Sequence, residues 1–430
     1  MIRLAALQLR AHNRDDYDMR RDALFERIER ATNDCDLLVL PEGTFPAYVL
    51  GDDRIDESLV TGVTEELSRI ARAAACAIVA GAAVRRGSAL YNGAIVVDRD
   101  GTLAGSADKL FLWHFDRQWF APGATIAPVQ TTIGRLGVLI CADGRIPGIA
   151  QALVDRGAEL LVMPTAWVTS GRDPQHLENI QADLFGRVRA LENGVPFIAA
   201  NKCGVERAMV AYCGKSQIVN AMGDVIAIAS QGEEELVTAQ VELEPPAPHR
   251  TQRASPESRE VTRTATLRVA IACTPLPNDI EKRLRILEAD LALAPDGRDG
   301  FEQLDRALPA VRLRAKEALD PGFLVPYRLA GYRVAVVDAD ALPHPWLERV
   351  ARTRAAELRI YVIVFDSHLR RAYAVDPDGI VIAGTFADFT IASFALDPQR
   401  TAQTLVAPGT DVTDGVARAQ AISAREPSAT

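Results

Sequence analysis

The sequence predicts an α/β fold, and two observations support this prediction. First, continuous apolar segments at 36–43 and 159–167 have the character of strands that are buried on both faces of a parallel sheet. Second, these segments alternate with amphipathic ones, as in folds whose helices cover a sheet. The apolar segment 136–140 ends at Cys141, where Asp, Gly and Pro lead into another amphipathic segment. A cysteine at such a strand-to-helix turn is expected to have its side chain exposed for chemistry, and a buried structural cysteine is the alternative.

The individual elements follow from the same patterns. Strands are predicted at 3–8, 36–43, 77–84, 94–97, 136–140, 159–167, 196–201, 214–219 and 225–229, and amphipathic helices at 17–33, 64–75, 149–155 and 176–193. The turn at 98–101 joins strand 94–97 to a return strand that runs toward Lys109. An aromatic-rich loop follows at 110–123, and its length favours a functional role.

Four regions are predicted along the chain. Residues 1–241 form the first α/β domain, and the Pro-rich segment 242–266, which is poor in apolar residues, forms a linker. A second domain covers 267–396. The tail 397–430 is rich in polar and small residues and is expected to be largely disordered.

Composition disfavours several classes of partner. The formal net charge of −9 comes without a basic run, so we expect no nucleic-acid partner. We expect a cytoplasmic protein with no membrane partner, because no apolar run is long enough to cross a bilayer and the first residues show no signal-peptide pattern. The six scattered cysteines are expected to be reduced, and neither a metal nor a cofactor is expected.

Three residues with chemical potential fall at predicted strand ends: Glu42, Lys109 and Cys141. Ligands of α/β sheets bind beyond the carboxyl ends of the strands. A carboxylate at that edge can take the proton of a thiol, and an ammonium can stabilise a thiolate or an oxyanion. Together the three residues are a consistent set for attack on a carbonyl or nitrile carbon, whereas Glu42 or Lys109 alone is most simply an exposed loop charge.

At these residues the sequence resembles the nitrilase, or carbon–nitrogen hydrolase, superfamily over about residues 1–241. The motifs that carry the resemblance are Leu-Pro-Glu at 40–42, Tyr-Asn-Gly at 91–93, Asp-Lys-Leu at 108–110, Ile-Cys-Ala-Asp-Gly-Arg-Ile-Pro at 140–147, Pro-Thr-Ala-Trp at 164–167 and Arg-Ala-Leu-Glu-Asn-Gly at 189–194. The resemblance implies an αββα sandwich. It also implies Glu42 as general base, Lys109 and the backbone N–H of Ala142 as oxyanion stabilisers, and Cys141 as the nucleophile that forms a thioester.

Three further residues are candidates for binding the substrate. Many members of the superfamily have a second glutamate in the loop after the lysine, where this chain has Asp116. Its shorter carboxylate is expected to orient the substrate or the lysine, and a surface aspartate is the alternative. Arg145 is a candidate partner for a substrate carboxylate, and the alternative is an arginine held in a structural salt bridge, for example with Asp143. Trp167 is expected either to line an apolar pocket or to pack in the core.

The expected function is hydrolysis of a non-peptide C–N bond in a small amide or N-carbamoyl compound. The sequence Cys-Ala-Asp at 141–143 is similar to the amidase and carbamoylase branches, whereas nitrilases often have Cys-Trp-Glu. A nitrilase and an acyl transferase are alternatives, because the sequence does not show what captures the thioester. A Cys–His pair with His114 is disfavoured, since Glu42 already supplies a base. A non-catalytic scaffold is the alternative from a different class, and the intact set of three residues argues against it.

The second domain resembles a shortened version of the first. Four pairs of segments align: 267–273 with 3–8, 289–297 with 35–43, 349–364 with 187–200, and 376–379 with 220–224. Aligning 331–340 with the strand before Cys141 puts Asp338 at the position of the nucleophile, and Lys316 is a weak candidate for the lysine. Because a carboxylate cannot replace the thiolate, this half is expected to be inactive and to act as an internal pseudo-dimer partner. Chance similarity between α/β strands is the alternative, and a homo-oligomer of the whole chain is a further possibility.

Overall fold

The computed structural model describes residues 1–51, 57–169, 175–246, 254–295, 297–339 and 345–424. These residues form two compact units, of which the first contains 1–246 and 418–424 and the second contains 254–417. Within the described ranges, no helix has the length and apolar character needed to span a bilayer.

The first unit consists of two packed β-sheets with helices on both outer faces. Its strands are β1 (Ile2–Arg10), β2 (Leu37–Val39), β3 (Ala77–Arg86), β4 (Ala89–Val97), β5 (Leu103–Asp108), β6 (Val129–Thr131), β7 (Gly134–Val138), β8 (Leu160–Pro164), β9 (Phe197–Ala200), β10 (Lys202–Glu206), β11 (Val210–Cys213), β12 (Gln217–Val219), β13 (Val225–Ile228) and β14 (Glu235–Val241). Its helices are α1 (Tyr17–Ala31), α2 (Glu57–Ala74), α3 (Pro147–Asp155) and α4 (Gly186–Asn193). The predicted αββα sandwich is confirmed for this unit.

The sheet topology explains the apolar strand segments. One sheet has the order β11-β10-β1-β2-β3-β4-β5, with β14 also paired to β1, and the other has the order β13-β12-β9-β8-β7-β6. The central strands β1, β2 and β3 are parallel, and so are β7, β8 and β9. Because β2 and β3 pack on β8 while helices cover the outer faces, these strands are buried on both sides and have no polar face.

Two predicted helices differ from the observed ones by more than two residues at their starts, whereas α3 begins two residues before the predicted 149. Helix α2 begins at Glu57, earlier than the predicted 64. The segment predicted as a helix over 176–193 begins with a π-helical turn at Gln181–Phe185, which continues into α4. Asn179 explains this start, because its side-chain oxygen accepts a hydrogen bond from Gln181 N at 2.9 Å, as a helix cap does. The hairpin of β10 and β11 was not predicted from the sequence.

The helices and strands of the rest of the chain, most of them in the second unit, continue the same numbering. The strands are β15 (Leu267–Ala272), β16 (Leu291–Leu293), β17 (Ala310–Arg314), β18 (Val334–Asp338), β19 (Tyr361–Asp366), β20 (Arg371–Val375), β21 (Val381–Gly384), β22 (Ile391–Leu396), β23 (Leu405–Ala407) and β24 (Thr410–Asp411). The helices are α5 (Ile280–Ile286), α6 (Arg298–Ala307), α7 (Ala315–Leu319), α8 (Pro321–Leu329), α9 (Leu347–Leu358), α10 (Pro398–Ala402) and α11 (Val412–Ser423). The sheets of the second unit have the orders β16-β15-β22, β17-β18-β19-β20-β21 and β23-β24.

The strand directions of the second unit correspond to those of the first. β22 is antiparallel to β15, which is parallel to β16, as β14, β1 and β2 are arranged. β17, β18 and β19 are parallel and β20 and β21 continue antiparallel, as in the series β7, β8, β9, β12 and β13. Among the described residues, α6 is the one regular element between β16 and β17, so the strands that lead to Lys109 have no counterpart there.

Several hydrogen bonds recur at corresponding places in the two units. Arg189 Nε donates to Gly144 O at 2.9 Å, and Arg354 Nε donates to Ala318 O at 2.9 Å. Each of these buried arginines also pairs with the glutamate one turn later on its own helix. The predicted similarity of the turns at 220–224 and 376–379 is also visible. The side chains of Asn220 and Asp376 each accept hydrogen bonds from the backbone amides two and four residues later.

The prediction that Asp338 lies at the position corresponding to the nucleophile is wrong. Asp338 ends β18, which corresponds to β8, whereas the counterpart of β7 is β17. Ala315 follows β17 and begins a helical turn, as Cys141 does after β7, and both turns lead into a helix with proline at its first position. Lys316 directly follows Ala315, so it does not occupy the position of the first unit's lysine. Asp338 instead pairs with Arg312 on β17.

The described parts of the predicted linker, 242–246 and 254–266, contain no helix or strand. Arg259 attaches the latter segment to the second unit, since its backbone N donates to Ala330 O at 2.6 Å and its guanidinium lies 3.3 Å from Asp305.

The expectation of a largely disordered tail is wrong for residues 398–423, which form α10, β23, β24 and α11. Helix α11 buries Val412, Val416, Ala419 and Ile422, a spacing that gives one apolar face. Residues 425–430 lie outside the described residues.

The end of α11 belongs to the first unit. Arg418 Nη2 donates to Gly123 O at 2.7 Å, and Arg156 Nη2 donates to Ser423 O at 3.3 Å. Gly123 N in turn donates to Lys109 O at 2.8 Å. The last helix thus contacts the loop that follows the lysine.

Candidate active site

Glu42 lies beyond the carboxyl end of β2, where the chain turns away from the sheet. Its side chain is fully buried, and Oε1 accepts hydrogen bonds from Asn92 Nδ2 and Lys109 Nζ, each at 2.7 Å. Gly81 leaves room for this turn, because a Cβ at that position would lie 2.3 Å from Pro41 O. Oε2 is buried and accepts no hydrogen bond from the described residues. It is therefore an acceptor available to a bound molecule.

The ammonium of Lys109, which follows β5, lies between two carboxylates. Nζ is 2.7 Å from Glu42 Oε1 and 2.7 Å from Asp116 Oδ2, and all three side chains are fully buried. Burial acts to lower the pKa of Lys109, but the charges of Asp116 and Glu42 outweigh it and hold this pKa well above its usual value. Lys109 therefore keeps a positive charge inside the protein at neutral pH.

Asp116 lies in a short helical turn, His114–Gln118, within the aromatic-rich loop. Its Oδ2 accepts a hydrogen bond from Trp113 N at 2.9 Å in addition to its contact with Lys109. Its Oδ1 is buried and accepts no hydrogen bond from the described residues. The alternative of a surface aspartate is excluded, because this side chain has no exposed area.

Cys141 is the first residue of the helical turn Cys141–Arg145 that follows β7. Its φ is 47°, a region that costs a non-glycine residue about 1–3 kcal/mol. The predicted strand-to-helix turn is present, but the cysteine is only 5% exposed, and Ala142 beside it is fully buried. Burial and the charge of Glu42 raise the pKa of the Cys141 thiol to about 12, against the lowering effect of Lys109. The thiol is therefore protonated at neutral pH and needs a base to become a nucleophile.

Asp143 connects the cysteine's turn to the lysine's loop. Its Oδ1 accepts hydrogen bonds from Leu110 N at 3.0 Å and Phe111 N at 2.8 Å, and its Oδ2 accepts one from Ile140 N at 3.0 Å. Burial raises the pKa of Asp143 to about 7. Both carboxylate oxygens thus accept hydrogen bonds from backbone amides of the two segments.

Arg145 and Trp167 occupy different kinds of environment. The Arg145 side chain is half-buried, and its guanidinium lies over the rings of Trp113 at 4.7 Å and Phe185 at 5.8 Å. Trp167 is fully buried, and its backbone N donates to Asn201 Oδ1 at 2.7 Å. Its indole Nε1 is buried without an acceptor among the described residues, so Trp167 offers one donor as well as apolar surface.

Sequence reasoning did not assign the roles of two features of this region. Asn92 appeared only within the motif at 91–93, and the structure shows that it donates a hydrogen bond to Glu42 from the otherwise apolar strand β4. A second buried ion pair supports the adjacent turn: Lys202 Nζ donates to Gly43 O at 3.0 Å and lies 3.2 Å from Glu206 Oε2. Because charged and apolar residues alternate on β10 as they do on a solvent-facing strand, this buried ion pair could not be predicted from the sequence.

His114 does not take part in this arrangement. It is exposed, and its ring packs on Phe115 with the ring centroids 5.2 Å apart, whereas Cys141 is buried. Across the ranges that the structure describes, no three side chains of the metal-binding types His, Cys, Asp and Glu are grouped as a metal site would require.

Comparison with known proteins identifies the family. A family model described as carbon–nitrogen hydrolase matches residues 3–246. The chain belongs to the carbon–nitrogen hydrolase family. As a carbon–nitrogen hydrolase it is an enzyme that acts on C–N bonds, and the matched segment lies within the first unit.

Individual relatives of this carbon–nitrogen hydrolase include amidases and a nitrilase. A probable nitrilase of Schizosaccharomyces pombe is 31% identical over 166 residues, which cover 39% of this chain and 58% of that protein's length. The omega-amidase of Homo sapiens is 30% identical over 270 residues, which cover 58% of this chain and 92% of that protein. The solved amidase of Nesterenkonia sp. is 25% identical with a TM-score of 0.50, and the match covers 57% of this chain and 90% of that one.

Proposed function

We propose that this carbon–nitrogen hydrolase cleaves the amide or N-carbamoyl group of a small molecule through a thioester on Cys141. The observation that carries the proposal is the Lys109 ammonium, which is held 2.7 Å from both Glu42 and Asp116 in a fully buried site. Each of these carboxylates has one buried oxygen that accepts no hydrogen bond from the described residues. The two free oxygens match the two N–H donors of a primary amide or carbamoyl group.

The first half of the reaction forms the thioester. Glu42 takes the proton of the Cys141 thiol, the sulfur bonds to the carbonyl carbon, and the C=O electron pair moves onto the oxygen. Lys109 and the backbone N–H of Ala142 stabilise this oxyanion. Glu42 then gives its proton to the substrate nitrogen, the C–N bond breaks, and ammonia or an amine leaves. A base is required because the pKa of the buried thiol is about 12.

The second half of the reaction hydrolyses the thioester. Glu42 takes a proton from a water molecule, and the water oxygen bonds to the thioester carbon. The C–S bond breaks as the tetrahedral intermediate collapses, and the sulfur recovers its proton from Glu42. An amide gives a carboxylic acid. An N-carbamoyl compound gives a carbamic acid, which decomposes to carbon dioxide and an amine if ammonia left in the first half, or to carbon dioxide and ammonia if the amine left.

A carboxylate on the substrate is the feature that Arg145 favours. This cation lies at the end of the nucleophile's turn, against the rings of Trp113 and Phe185. A guanidinium in that place suits bidentate pairing with a carboxylate, and Trp167 supplies buried apolar surface. The omega-amidase relative supports an amide substrate, and the nitrilase relative makes nitrile hydrolysis the second candidate. Capture of the thioester by an amine, which would make the enzyme an acyl transferase, is the third.

We further propose that residues 267–396 are a shortened and inactive version of the same fold. The matching strand directions and the recurring arginine contacts support this relation, and Ala315 at the place of Cys141 has no atom that can form a thioester. This half would serve as an internal pseudo-dimer partner, and a homo-oligomer of the whole chain is the alternative. We also propose a cytoplasmic location, where the six unpaired cysteines stay reduced.

The experiment that tests the catalytic proposal is a substrate panel. The purified protein is incubated with ω-amides, simple amides, N-carbamoyl amino acids, N-carbamoyl amines and nitriles, and ammonia and carbon dioxide are measured together. Cys141→Ala is the test variant, and Cys273→Ala, which removes a buried thiol of the second unit, is the matched control. Ammonia with carbon dioxide indicates a carbamoylase, and ammonia alone indicates an amidase or nitrilase according to the substrate that responds.

Loss of product with Cys141→Ala but not with Cys273→Ala supports the thioester. Turnover that persists with Cys141→Ala contradicts it. If the panel gives no product and Cys141 does not react with a small alkylating agent, the catalytic proposal fails and the scaffold alternative gains support.

A further inference from the structure

We propose that Asp143 is a positioning residue, which fixes the loop of Lys109 to the turn of Cys141 so that ammonium and thiol face the same substrate carbon. The proposal rests on the proposed roles of Lys109 and Cys141. It assigns Asp143 no contact with the substrate.

The hydrogen bonds of Asp143 reach both segments at the residues next to the proposed catalytic ones. The two amides directly after the lysine, Leu110 N and Phe111 N, donate to Oδ1 at 3.0 and 2.8 Å. The amide directly before the cysteine, Ile140 N, donates to Oδ2 at 3.0 Å. The carboxylate is 2% exposed, so water does not compete for these bonds. One side chain therefore sets the distance between two segments that are far apart in the sequence.

The chemistry of a carboxylate is what this place requires. Three backbone donors converge on Asp143, and a carboxylate, which for Asp143 is the ionised form above its pKa of about 7, offers acceptors on both of its terminal atoms. An asparagine would keep one oxygen and turn an NH₂ group toward either the loop amides or the Ile140 amide. The hydrogen bonds to one of the two segments would then be lost, and the side chain would no longer connect the loop to the turn.

The second unit offers an internal comparison. Glu317 occupies the corresponding place after β17, and its Oε2 accepts a hydrogen bond from Arg314 N at 2.8 Å, as Asp143 does from Ile140 N. Glu317 is half-buried, and the described part of the second unit has no counterpart of the lysine loop. The bond to the residue before the turn thus occurs in both units and is explained by turn formation. The bonds to Leu110 and Phe111 occur only beside the proposed catalytic residues, and positioning explains them.

The test compares Asp143→Asn with the matched control Glu317→Gln in the full-length protein. Steady-state kinetics are measured on a substrate that the panel identifies, and circular dichroism checks the fold. We expect Asp143→Asn to lower kcat by about 10- to 100-fold, as small misplacements of reacting groups do, while KM changes less than about 3-fold. Glu317→Gln is expected to leave both constants within about 2-fold of the wild type, since the second unit holds no reacting group.

Wild-type hydrogen exchange provides a second measurement that needs no variant. The amides of Leu110, Phe111 and Ile140 are expected to exchange slowly, although the first two lie in a loop. Fast exchange at Leu110 and Phe111 would overturn the proposal, and so would a folded Asp143→Asn variant with kcat within about 2-fold of the wild type. An equal loss of kcat in Glu317→Gln would also overturn it. Failure of the thioester mechanism is read separately, from turnover by Cys141→Ala.

Discussion

Replacing Lys109 with methionine removes a charge that two buried carboxylates share. Glu42 Oε1 and Asp116 Oδ2 each lie 2.7 Å from Nζ, so they are no more than about 5 Å apart, and their repulsion at an effective dielectric constant of about 20 is about 3 kcal/mol. Removing one partner of a buried ion pair costs about 3–5 kcal/mol in other proteins. We therefore expect Lys109→Met to lower the free energy of unfolding by about 3–5 kcal/mol at about pH 8.

Urea unfolding followed by circular dichroism at about pH 8 measures this change, with wild type, Lys109→Met, Asp116→Asn and the double variant compared. The double variant is expected to be about 2–3 kcal/mol more stable than Lys109→Met, because it removes one of the two repelling charges. A double variant no more stable than Lys109→Met would refute this electrostatic argument.

Four other predictions concern the thiol, its base and two buried polar groups. The difference in ultraviolet thiolate absorbance between wild type and Cys141→Ala is expected to be absent below about pH 9, because burial raises the pKa of this thiol to about 12; a thiolate band at neutral pH would contradict it. Glu42→Gln is expected to lower kcat by about 10²- to 10⁴-fold, because Glu42 acts as the base. The same change is expected not to slow alkylation of the thiol near pH 9, because the charge of Glu42 raises the pKa of the thiol. A parallel loss of kcat and alkylation rate would contradict this prediction. Burial raises the pKa of Asp143 to about 7, so the stability linked to its protonated form is lost as pH rises from about 4 through about 7. The difference in unfolding free energy between the wild type and Asp143→Asn, measured by urea unfolding, is therefore expected to narrow over that range. A difference that stays constant would contradict this prediction. Arg354→Met is expected to lower the unfolding free energy by about 3–5 kcal/mol, because it removes the ion-pair partner of the fully buried Glu357, and a change below about 1 kcal/mol in thermal or urea unfolding would contradict it.

The positions of Glu42 and Cys141 after strands could be predicted because they depend on local sequence. Glu42 follows the short apolar strand β2, and Cys141 follows the apolar segment 136–140, so each lies at a boundary where a polar residue reaches the carboxyl edge of the sheet. The contact of Asp116 with Lys109 depends instead on how the aromatic-rich loop folds. Loop conformation is set by packing among Tyr48, Phe115 and Trp119 rather than by periodicity, so sequence patterns suggested the contact without fixing it.

The second unit shows where strand patterns become ambiguous. β18 is wholly apolar up to Asp338, and so it resembled the strand before Cys141 more closely than β17 did. Arg312 interrupts the apolar run of β17, because its guanidinium pairs with Asp338 on the neighbouring strand. One parallel strand cannot be distinguished from the next by hydrophobicity alone, and the strand order and hydrogen bonds decide the assignment.

The tail was misjudged for a different reason. Its composition is polar, but the buried residues of α11 recur with helical spacing from Val412 to Ile422. Periodicity was the better guide than composition in this segment.

The contact of Arg418 with Gly123 has a consequence for the order in which the enzyme matures on the ribosome. All strands of the first unit have been synthesised once residue 241 is added, but Arg418 follows only after roughly 10–30 s at ordinary rates of translation. During that interval the proposed nucleophile and its base are already in the chain, while the loop after Lys109 lacks the hydrogen bond that Arg418 gives to Gly123. A ribosome stalled between these two points therefore holds a nascent catalytic unit whose lysine loop is less restrained than in the longer chain.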